Sequence, residues 1–512
     1  MLAWLTAGPA WAAPDLSPFA SSSFADIQRG VESLRTSGDP RALTVLQAMQ
    51  TGRLLVGPDG AVLIRDGSIT TDAATGAPAT AATAKPVRLN NNVRRAIDAA
   101  IGALRLFAPD PSERATAAEA VFHSRDPADA SALDRAIGTE QDPAIRRTMQ
   151  QARAAITLAG LAPDDATLAA IATLRDRSGT EARGVIAAIP ASGPAVTAAI
   201  NGALSAIDFR QQLLGYGQTL FYGLSLGSVL LLAAAGLAIT FGVMGVINMA
   251  HGELLMLGAY TTFVVQEVIR AHAPALFSSS LFIAVPAAFL VTGAAGVLIE
   301  RGLIRFLYGR PLETLLATWG LSLVLQQAVR SVFGADNRNV GTPAWMSGTV
   351  DVVGLSLTIN RLTIIGFSIA VLTALIVGLR RTPLGLQMRA VTQNRRMAAA
   401  MGIRTPWVDA MTFGLGSGLA GIAGVALSQI DNVSPNLGQG YIIDSFMVVV
   451  FGGVGNLWGT ALAALLLGVV NKVMEPVAGA VLGKVVVLVL IVLFIQRRPR
   501  GMFPVKGRAV ET

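Results

Sequence analysis

The sequence lacks cysteine altogether and has little charge. Without cysteine there are no disulfides, no thiol nucleophile and no cysteine-ligated metal site. Charged residues make up only 14% of the 512 residues, whereas an ordinary soluble domain has roughly a quarter. Hydrophobic residues reach 52% and the mean hydropathy is +0.55. This balance favours a protein that lies largely within a membrane.

The few charges are unevenly distributed along the chain. From Ala206 onward there are 21 Lys and Arg against 12 Asp and Glu, whereas the first 205 residues have 19 against 20. A positive excess in a soluble protein can indicate nucleic-acid binding. Here it accompanies the apolar half of the chain, where it is typical of loops on the cytoplasmic side. No nucleic-acid partner is therefore expected.

Residues 1–12 resemble the end of a secretory signal peptide. Ala10-Trp11-Ala12 fits a cleavage site, and the polar segment APDLSP follows it. The basic segment that normally opens such a signal is missing, and a disordered tail is the alternative. If the signal is functional, the next region is exported.

Residues 13–205 are predicted to form that exported domain, since no apolar run within them could span a bilayer. Short amphipathic helices alternate with Pro, Gly and Asp, and LLVGPDGAVLI reads as a β-hairpin. Helix starts at Asp126-Pro127 and Pro163-Asp164 recur after 37 residues, as do those at Asp142-Pro143 and Gly179-Thr180. The period predicts a HEAT-like helical solenoid, with an irregular helical bundle as the alternative.

Residues 206–512 are predicted to form a polytopic helical bundle in the membrane, so the fold class is all-α. The predicted number of crossings is seven to nine, because two short apolar runs near the end could form a re-entrant pair around FGGVGNLWG instead of crossing. The candidate spans are 217–243, 249–268, 281–300, 314–333, 362–379, 408–430, 442–454, 459–473 and 482–496.

Loop charges predict the orientation. Arginines cluster in three places, between spans three and four, in residues 380–404 and in the tail. These regions are expected in the cytoplasm, which leaves the N-terminal domain in the periplasm and the C-terminus in the cytoplasm. An odd number of crossings satisfies this arrangement. The first two spans are expected to join near Asn248 on the cytoplasmic side.

The stretch Gly236–Gln266 carries polar groups within an apolar run. Asn248, His251 and Glu253 lie within six positions, and ionisable groups at membrane depth usually face a bundle interior or a water-filled path. A role in supporting a broken helix is the alternative to direct contact with a substrate. The full set of candidates for a substrate path or gate is Asn248, His251, Glu253, Thr318, Gln326, Gln327, Gln429 and Asn432.

Residues 380–407 form a basic segment too long for a simple turn. A short helix with apolar methionines is expected there, and it could dock on another protein; a solvated loop near lipid head groups is the alternative. No catalytic or metal constellation occurs, and Gly479–Val485 lacks the spacing and the Ser or Thr of a phosphate-binding loop. Any ATP must therefore be hydrolysed by a partner, and no cofactor is expected.

Two stretches carry a family resemblance. GLAITFGVMGVINMAHGELLMLGAY (236–260) and TPLGLQMRAVTQNRRMAAAMGI (382–403) resemble the LivH-type permeases of branched-chain amino acid ABC transporters. NKVMEPVAGAVLGKV, the ending LFIQRRPRGMFPVKGR and an exported extension of about 200 residues are similar to the urea branch of that family, the UrtB-type permeases. The resemblance covers residues 206–508.

The resemblance implies one subunit of an ATP-driven importer in the bacterial inner membrane. Its partners would be a second, LivM-like permease, two cytoplasmic ATPase subunits, a periplasmic urea-binding protein and membrane lipid. The basic segment would be the ATPase-coupling loop. Its expected residues are Gly385, Met388, Arg389, Val391, Met397, Ala398, Met401 and Gly402, with Arg396-Met397-Ala398 standing where the family has an acid followed by two alanines.

Three other functions are alternatives. A branched-chain amino acid or short-chain amide importer would share the same fold. A passive urea channel would not need the basic segment. A membrane enzyme using His251 and Glu253 would need a further catalytic partner, which the neighbouring sequence does not supply.

Overall fold

The computed structural model describes residues 15–503 except 38, 40, 68, 81–82, 161–162, 191–192 and 353. The predicted signal segment 1–12 and the last residues of the basic tail lie outside the described residues. Two compact units divide between Gln212 and Leu213. Each unit has its own hydrophobic cores.

The first unit is mostly helical but contains a four-stranded antiparallel sheet. Leu54 pairs with Ile64 across the predicted hairpin, and the strand order is β3-β2-β1-β4. The strands are β1 (Leu54–Val56), β2 (Val62–Asp66), β3 (Ile69–Asp72) and β4 (Lys85–Pro86). The helices are α1 (Phe24–Ser37), α2 (Ala42–Gln50), α3 (Asn91–Arg105), α4 (Pro111–Ser124), α5 (Ala130–Thr139), α6 (Pro143–Ala159), α7 (Asp164–Arg177) and α8 (Thr180–Ala187).

The four periodic helix starts predicted in this unit all precede a helix or a helical turn. The Asp142 carboxylate accepts the Ala144 N–H at 2.8 Å and so caps α6. Asp126 caps the short 3₁₀ turn Pro127–Asp129, which leads into α5. Side-chain caps thus mark two of the four starts, whereas the HEAT-like arrangement stays a prediction.

The second unit is a helical bundle in which glycines bring helices close together. Its first helix is the end of a long helix that begins in the first unit, α9 (Pro194–Met244). The others are α10 (His251–His272), α11 (Ser280–Gly302), α12 (Pro311–Phe333), α13 (Ile359–Arg381), α14 (Pro383–Gln393), α15 (Arg395–Ala400), α16 (Thr405–Leu427), α17 (Leu437–Gly452) and α18 (Leu457–Arg497). A hairpin of β5 (Thr349–Val352) and β6 (Leu355–Thr358) precedes α13.

The expectation of an all-α fold is therefore too simple. The sequence indicated β1 and β2, but not the two strands that extend their sheet nor the β5–β6 hairpin. Both additions consist of two- to four-residue strands, which are too short to leave a clear alternating pattern. The protein is mostly helical with two small sheets.

Six helices among the described residues are long and apolar enough to cross a membrane: α9, α10, α11 with its preceding turn, α13, α16 and the first limb of α18. The apolar helix α17 is shorter. α12 has 23 residues, but its polar side chains keep it below that level of apolarity. The predicted seven to nine crossings therefore stay a prediction.

The helix α18 bends back on itself. Gly479 has non-helical torsion angles (φ 78°, ψ 163°) and separates two limbs, which match the predicted spans 459–473 and 482–496. Beyond the second limb, Met502 N–H donates to Phe451 O at 2.9 Å. The chain thus returns to the end of the bundle where α18 begins, and the two limbs form a helical hairpin.

The basic end of the second unit is defined by the residues between α13 and α16 and by the segment after α18. Arg301 at the end of α11 lies over the Trp407 ring at 5.9 Å, which places the arginines after α11 at this end as well. The opposite end carries the β5–β6 hairpin and the segment after α16. There, Asn360 donates to Gln429 O at 2.6 Å.

Candidate functional site

The predicted polar stretch does not form a simple connection between two spans. His251, the first residue of α10, lies with Nε2 2.9 Å from the backbone oxygen of Ala233 in α9. Ala233 precedes the end of α9 by 11 residues, or about 16 Å along the helix axis. Residues 245–250 therefore fold back along α9, and α10 begins inside the bundle.

The connection between the first two spans lies near Asn248, as expected, but it is buried within the bundle. Asn248 is buried rather than at a loop surface, and its Oδ1 accepts the Ala250 N–H at 3.0 Å. Thr318 of α12 accepts the Met249 N–H at 3.1 Å. The irregular backbone is tolerated at this depth because side chains satisfy its polar groups.

A polar cluster surrounds the start of α10. Glu253 is 1% exposed, and its Oε1 accepts hydrogen bonds from Ser322 Oγ at 2.9 Å and from Gln326 Nε2 at 2.7 Å. Glu253 Oε2 and His251 Nδ1 have no hydrogen-bond partner among the described residues. We call the following six residues the polar cluster: Asn248, His251, Glu253, Thr318, Ser322 and Gln326.

Helical spacing on α12 explains why this cluster forms. Thr314, Thr318, Ser322 and Gln326 recur every four residues, so they share one face of the helix, and all four are buried. Ser322 was missed by the sequence reasoning. The four-residue repeat of polar side chains within an apolar segment was the signal that could have identified it.

Three of the predicted path residues lie apart from the cluster. Gln327 is exposed, unlike its buried neighbour Gln326. Gln429 and Asn432 line a separate small cavity of about 220 Å³ at the opposite end from the Arg-rich loops. The structure therefore places five of the eight candidates around the start of α10, where Glu253 bonds to Gln326 and His251 bonds to α9 instead, and leaves these three out.

A fourth helix approaches the cluster through Gln439. This residue of α17 lies with Nε2 3.4 Å from Gln326 Oε1, and it is itself exposed. The cluster is thereby connected to a surface of the unit by a chain of side-chain amides. Sequence reasoning did not select Gln439, because nothing in its neighbourhood marked it as different from other polar residues.

The basic segment, residues 380–407, is called the Arg-rich segment from here on. It folds into two short helices rather than one. Met388 and Val391 of α14 and Ala398 of α15 are buried in a core that includes Ala235 and Ile239 of α9. Met397 and Met401 are 59% and 77% exposed. Only the last two of the predicted apolar contacts are therefore available to another protein.

The remaining residues of this segment shape its turns. Arg389 Nη1 donates to Leu379 O at 2.6 Å and holds α14 against the end of α13. A side chain at Gly385 would place Cβ 2.0 Å from Leu379 O, so only glycine fits there. Gly402 has φ +87° and ends the turn after α15.

Two buried acids lie beside the Arg-rich segment. Asp409 in the first turns of α16 pairs with Arg395, with Nη1 and Oδ1 3.2 Å apart. Tyr308 donates to Glu300 Oε1 at 2.8 Å, and burial raises the pKa of the Tyr308 hydroxyl, which stays a donor. Sequence reasoning missed this group, since its members are spread over more than a hundred residues.

Comparison with known proteins identifies the kind of molecule that carries these features. A family model described as "Branched-chain amino acid transport system / permease component" matches residues 219–495. The chain belongs to this permease family. It is therefore a multi-pass membrane transport protein of the ABC type, as the sequence resemblance implied, and its relatives are permeases rather than enzymes.

Individual relatives match almost over their whole length. The chain is similar to the branched-chain amino acid permease BraD of Pseudomonas aeruginosa, with 31% identity over 56% of this chain and 95% of BraD. It is also similar to LivH of Salmonella typhimurium, with 30% identity over 57% of this chain and 96% of LivH. The probable permease LivH of Methanocaldococcus jannaschii is 24% identical over 54% of this chain and 88% of that protein. No solved structure matches.

Proposed function

We propose that this chain is the permease subunit of an ATP-driven importer and that its substrate is urea. The family supports the importer part of the proposal. The Arg-rich segment supports a coupling role, because it presents Met397 and Met401 to solvent without any acidic side chain between residues 380 and 404. Two ATPase subunits would dock there, and a LivM-like permease and a periplasmic urea-binding protein would complete the complex.

The composition of the polar cluster is the observation that favours urea. Urea is neutral and offers four N–H donors and one accepting oxygen. Glu253 Oε2 has no partner among the described residues and can accept such an N–H. The cluster contains no Lys or Arg, so the carboxylate of an amino acid would find no cation there.

The first unit also supports a branch distinct from the amino acid permeases. The matches include almost all of BraD and LivH but only 56% and 57% of this chain, so much of this chain has no counterpart in those relatives. The family match begins only at residue 219. The sequence blocks similar to UrtB-type permeases and the additional N-terminal unit together favour urea.

The proposed orientation follows from the loop charges. The basic end of the second unit would face the cytoplasm of a bacterial cell, with residues 13–205 in the periplasm. Residues 1–12 would be the remnant of the signal that exports them. Residues 206–512 would form the permease domain of the inner membrane.

A branched-chain amino acid importer is the second candidate, and the names of the curated relatives favour it. Uptake in a strain that lacks only this gene distinguishes the two. We expect loss of labelled urea uptake with labelled leucine uptake intact, and recovery of urea uptake when the gene is restored. Loss of leucine uptake with urea uptake unchanged would contradict the urea proposal and favour the second candidate.

A further inference from the structure

The Arg395–Asp409 ion pair joins the Arg-rich segment to the core of the second unit. Arg395 begins α15, and its side chain is 43% exposed. Asp409 is fully buried, with Arg395 as its ion-pair partner. A buried carboxylate whose partner is removed is strongly unfavourable. The position of α15 is therefore tied to that of α16.

The Arg395 guanidinium also contacts Tyr308, which is hydrogen-bonded to α11. Arg395 lies over the Tyr308 ring, 5.1 Å from its centroid, and Tyr308 donates to Glu300 in the last turn of α11. The Arg395 side chain thus connects α15 with α16 through Asp409 and with α11 through Tyr308. A displacement of α15 cannot leave these two helices unaffected unless the pair breaks.

The helices beyond this pair are closely packed at glycines. A Cβ at Gly296 of α11 would lie 2.2 Å from Ser417 Oγ of α16. A Cβ at Gly258 of α10 would lie 2.2 Å from Gly421 O of α16. At these glycines α16 packs directly against α11 and against α10, which carries Glu253 of the polar cluster.

We propose that Arg395 is a positioning residue that transmits movement of the Arg-rich segment to α16 and, through α16, to the polar cluster. The inference rests on the proposed coupling role of that segment. It assigns the transmission to one ion pair rather than to the exposed methionines, which would make the contact with the ATPase subunits. The buried Asp409 receives the movement.

The test uses the complete transporter, with its ATPase subunits and binding protein, in proteoliposomes. Substrate uptake and ATP hydrolysis are measured together, and their ratio is compared for wild type, Arg395→Gln and Arg395→Lys. We expect Arg395→Gln to lower uptake per ATP hydrolysed by about fivefold or more, since changes along a coupling route typically alter coupling to this extent. Arg395→Lys keeps the charge and should retain most of the ratio.

Arg310→Gln is the matched control. Arg310 forms an ion pair with Glu313 at 3.1 Å on the same end of the unit, but both side chains are more than half exposed. Exposed pairs contribute little, so the uptake-to-hydrolysis ratio should equal that of wild type. Equal ratios for Arg395→Gln and Arg310→Gln would overturn the proposal.

A double variant guards against simple misfolding. Arg395→Met with Asp409→Leu removes both charges and leaves no unpaired buried carboxylate. We expect this variant to assemble with the ATPase subunits and still to show a low ratio. A normal ratio in the double variant, or uptake and hydrolysis falling by the same factor in Arg395→Gln and Arg395→Lys alike, would contradict transmission through the pair. Wild-type complex without ATP-dependent uptake would contradict the proposed function instead.

Discussion

Gln326 Nε2 lies 2.7 Å from Glu253 Oε1 and joins α12 to the first turn of α10. The contact lies deep in the bundle, where both residues are buried. It fixes one oxygen of a carboxyl group that has no cationic partner among the described residues, and it leaves the other oxygen free. This relationship explains how a membrane permease can retain a glutamate inside its helical bundle.

Replacing Gln326 should destabilise the bundle. Gln326→Leu removes one of the two donors to Glu253, and the loss of a hydrogen bond to a buried polar group costs about 1–3 kcal/mol. Gln327→Leu is the matched control, because the Gln327 side chain is exposed and lies outside the polar cluster. Thermal unfolding of the purified protein should show a lower midpoint for Gln326→Leu alone. Equal midpoints would contradict the structural importance of the contact.

The crossing of α10 and α16 should not tolerate even one methyl group. An alanine Cβ at Gly258 would lie 2.2 Å from Gly421 O, so the helices must separate. Overpacking of this kind costs about 1–3 kcal/mol. Gly366→Ala on α13 is the control, since nothing lies within 4 Å of the added atom. We expect lower thermal stability and lower uptake for Gly258→Ala only; normal values for both would show that the crossing is adaptable.

Gly402 is required for its backbone conformation. An added Cβ would meet no atom within 4 Å, yet φ is +87°. Gly402→Val should therefore displace the turn after α15 at a cost of about 1–3 kcal/mol and reduce ATP-dependent uptake, whereas Gly402→Asn should be milder because Asn tolerates positive φ. The measurement is uptake normalised to the amount of inserted protein. Equal uptake for the two variants would argue against backbone strain as the cause.

Glu140 gives the first unit a defined acid sensitivity. Its hydrogen bond with Arg114 lowers the pKa of the Glu140 carboxyl to about 2, against an ordinary value of 4.5. A depressed pKa in the folded state means that the stabilisation is complete above pH 4.5, declines as pH falls towards 2 and is absent below it. Hydrogen exchange of α4–α6 should show better protection in wild type than in Glu140→Gln.

The difference in hydrogen-exchange protection between wild type and Glu140→Gln should become smaller as pH falls from 4.5 to 2. The two proteins are compared with each other at each pH. Glu113→Gln is a control, because that side chain is exposed and forms no ion pair among the residues that the structure describes. A difference that stays the same from pH 6 to pH 2 would contradict the lowered pKa of Glu140.

Strong local signals predicted much of the fold. Apolar runs of sufficient length identified α9, α10, α11, α13 and α16. Turn chemistry at Pro58-Asp59-Gly60 identified the β1–β2 hairpin. These features depend on residues close in sequence, so a single chain is enough to recognise them. The Arg-rich segment was also recognised from the sequence, but its division at Asn394 into α14 and α15 was not.

The site was predicted only in part, because it depends on tertiary contacts. Asn248, His251 and Glu253 were conspicuous as polar residues in an apolar run. Ser322, which donates to Glu253, comes from a helix about 70 positions away. The sequence suggested a broken helix there, but not the backward fold of residues 245–250, since Met249 bonds to Thr318 of the distant helix α12. The sequence could therefore name the glutamate without specifying its environment.

ATP-dependent accumulation of substrate tests the central claim most directly. The purified chain, reconstituted with its permease, ATPase and binding-protein partners, should concentrate labelled urea inside the proteoliposomes above the external level only when ATP is hydrolysed on the side of the ATPase subunits. Omission of the ATPase subunits should abolish this accumulation. Urea that merely equilibrates across the membrane, at the same rate with and without ATP, would contradict an importer and identify a passive channel.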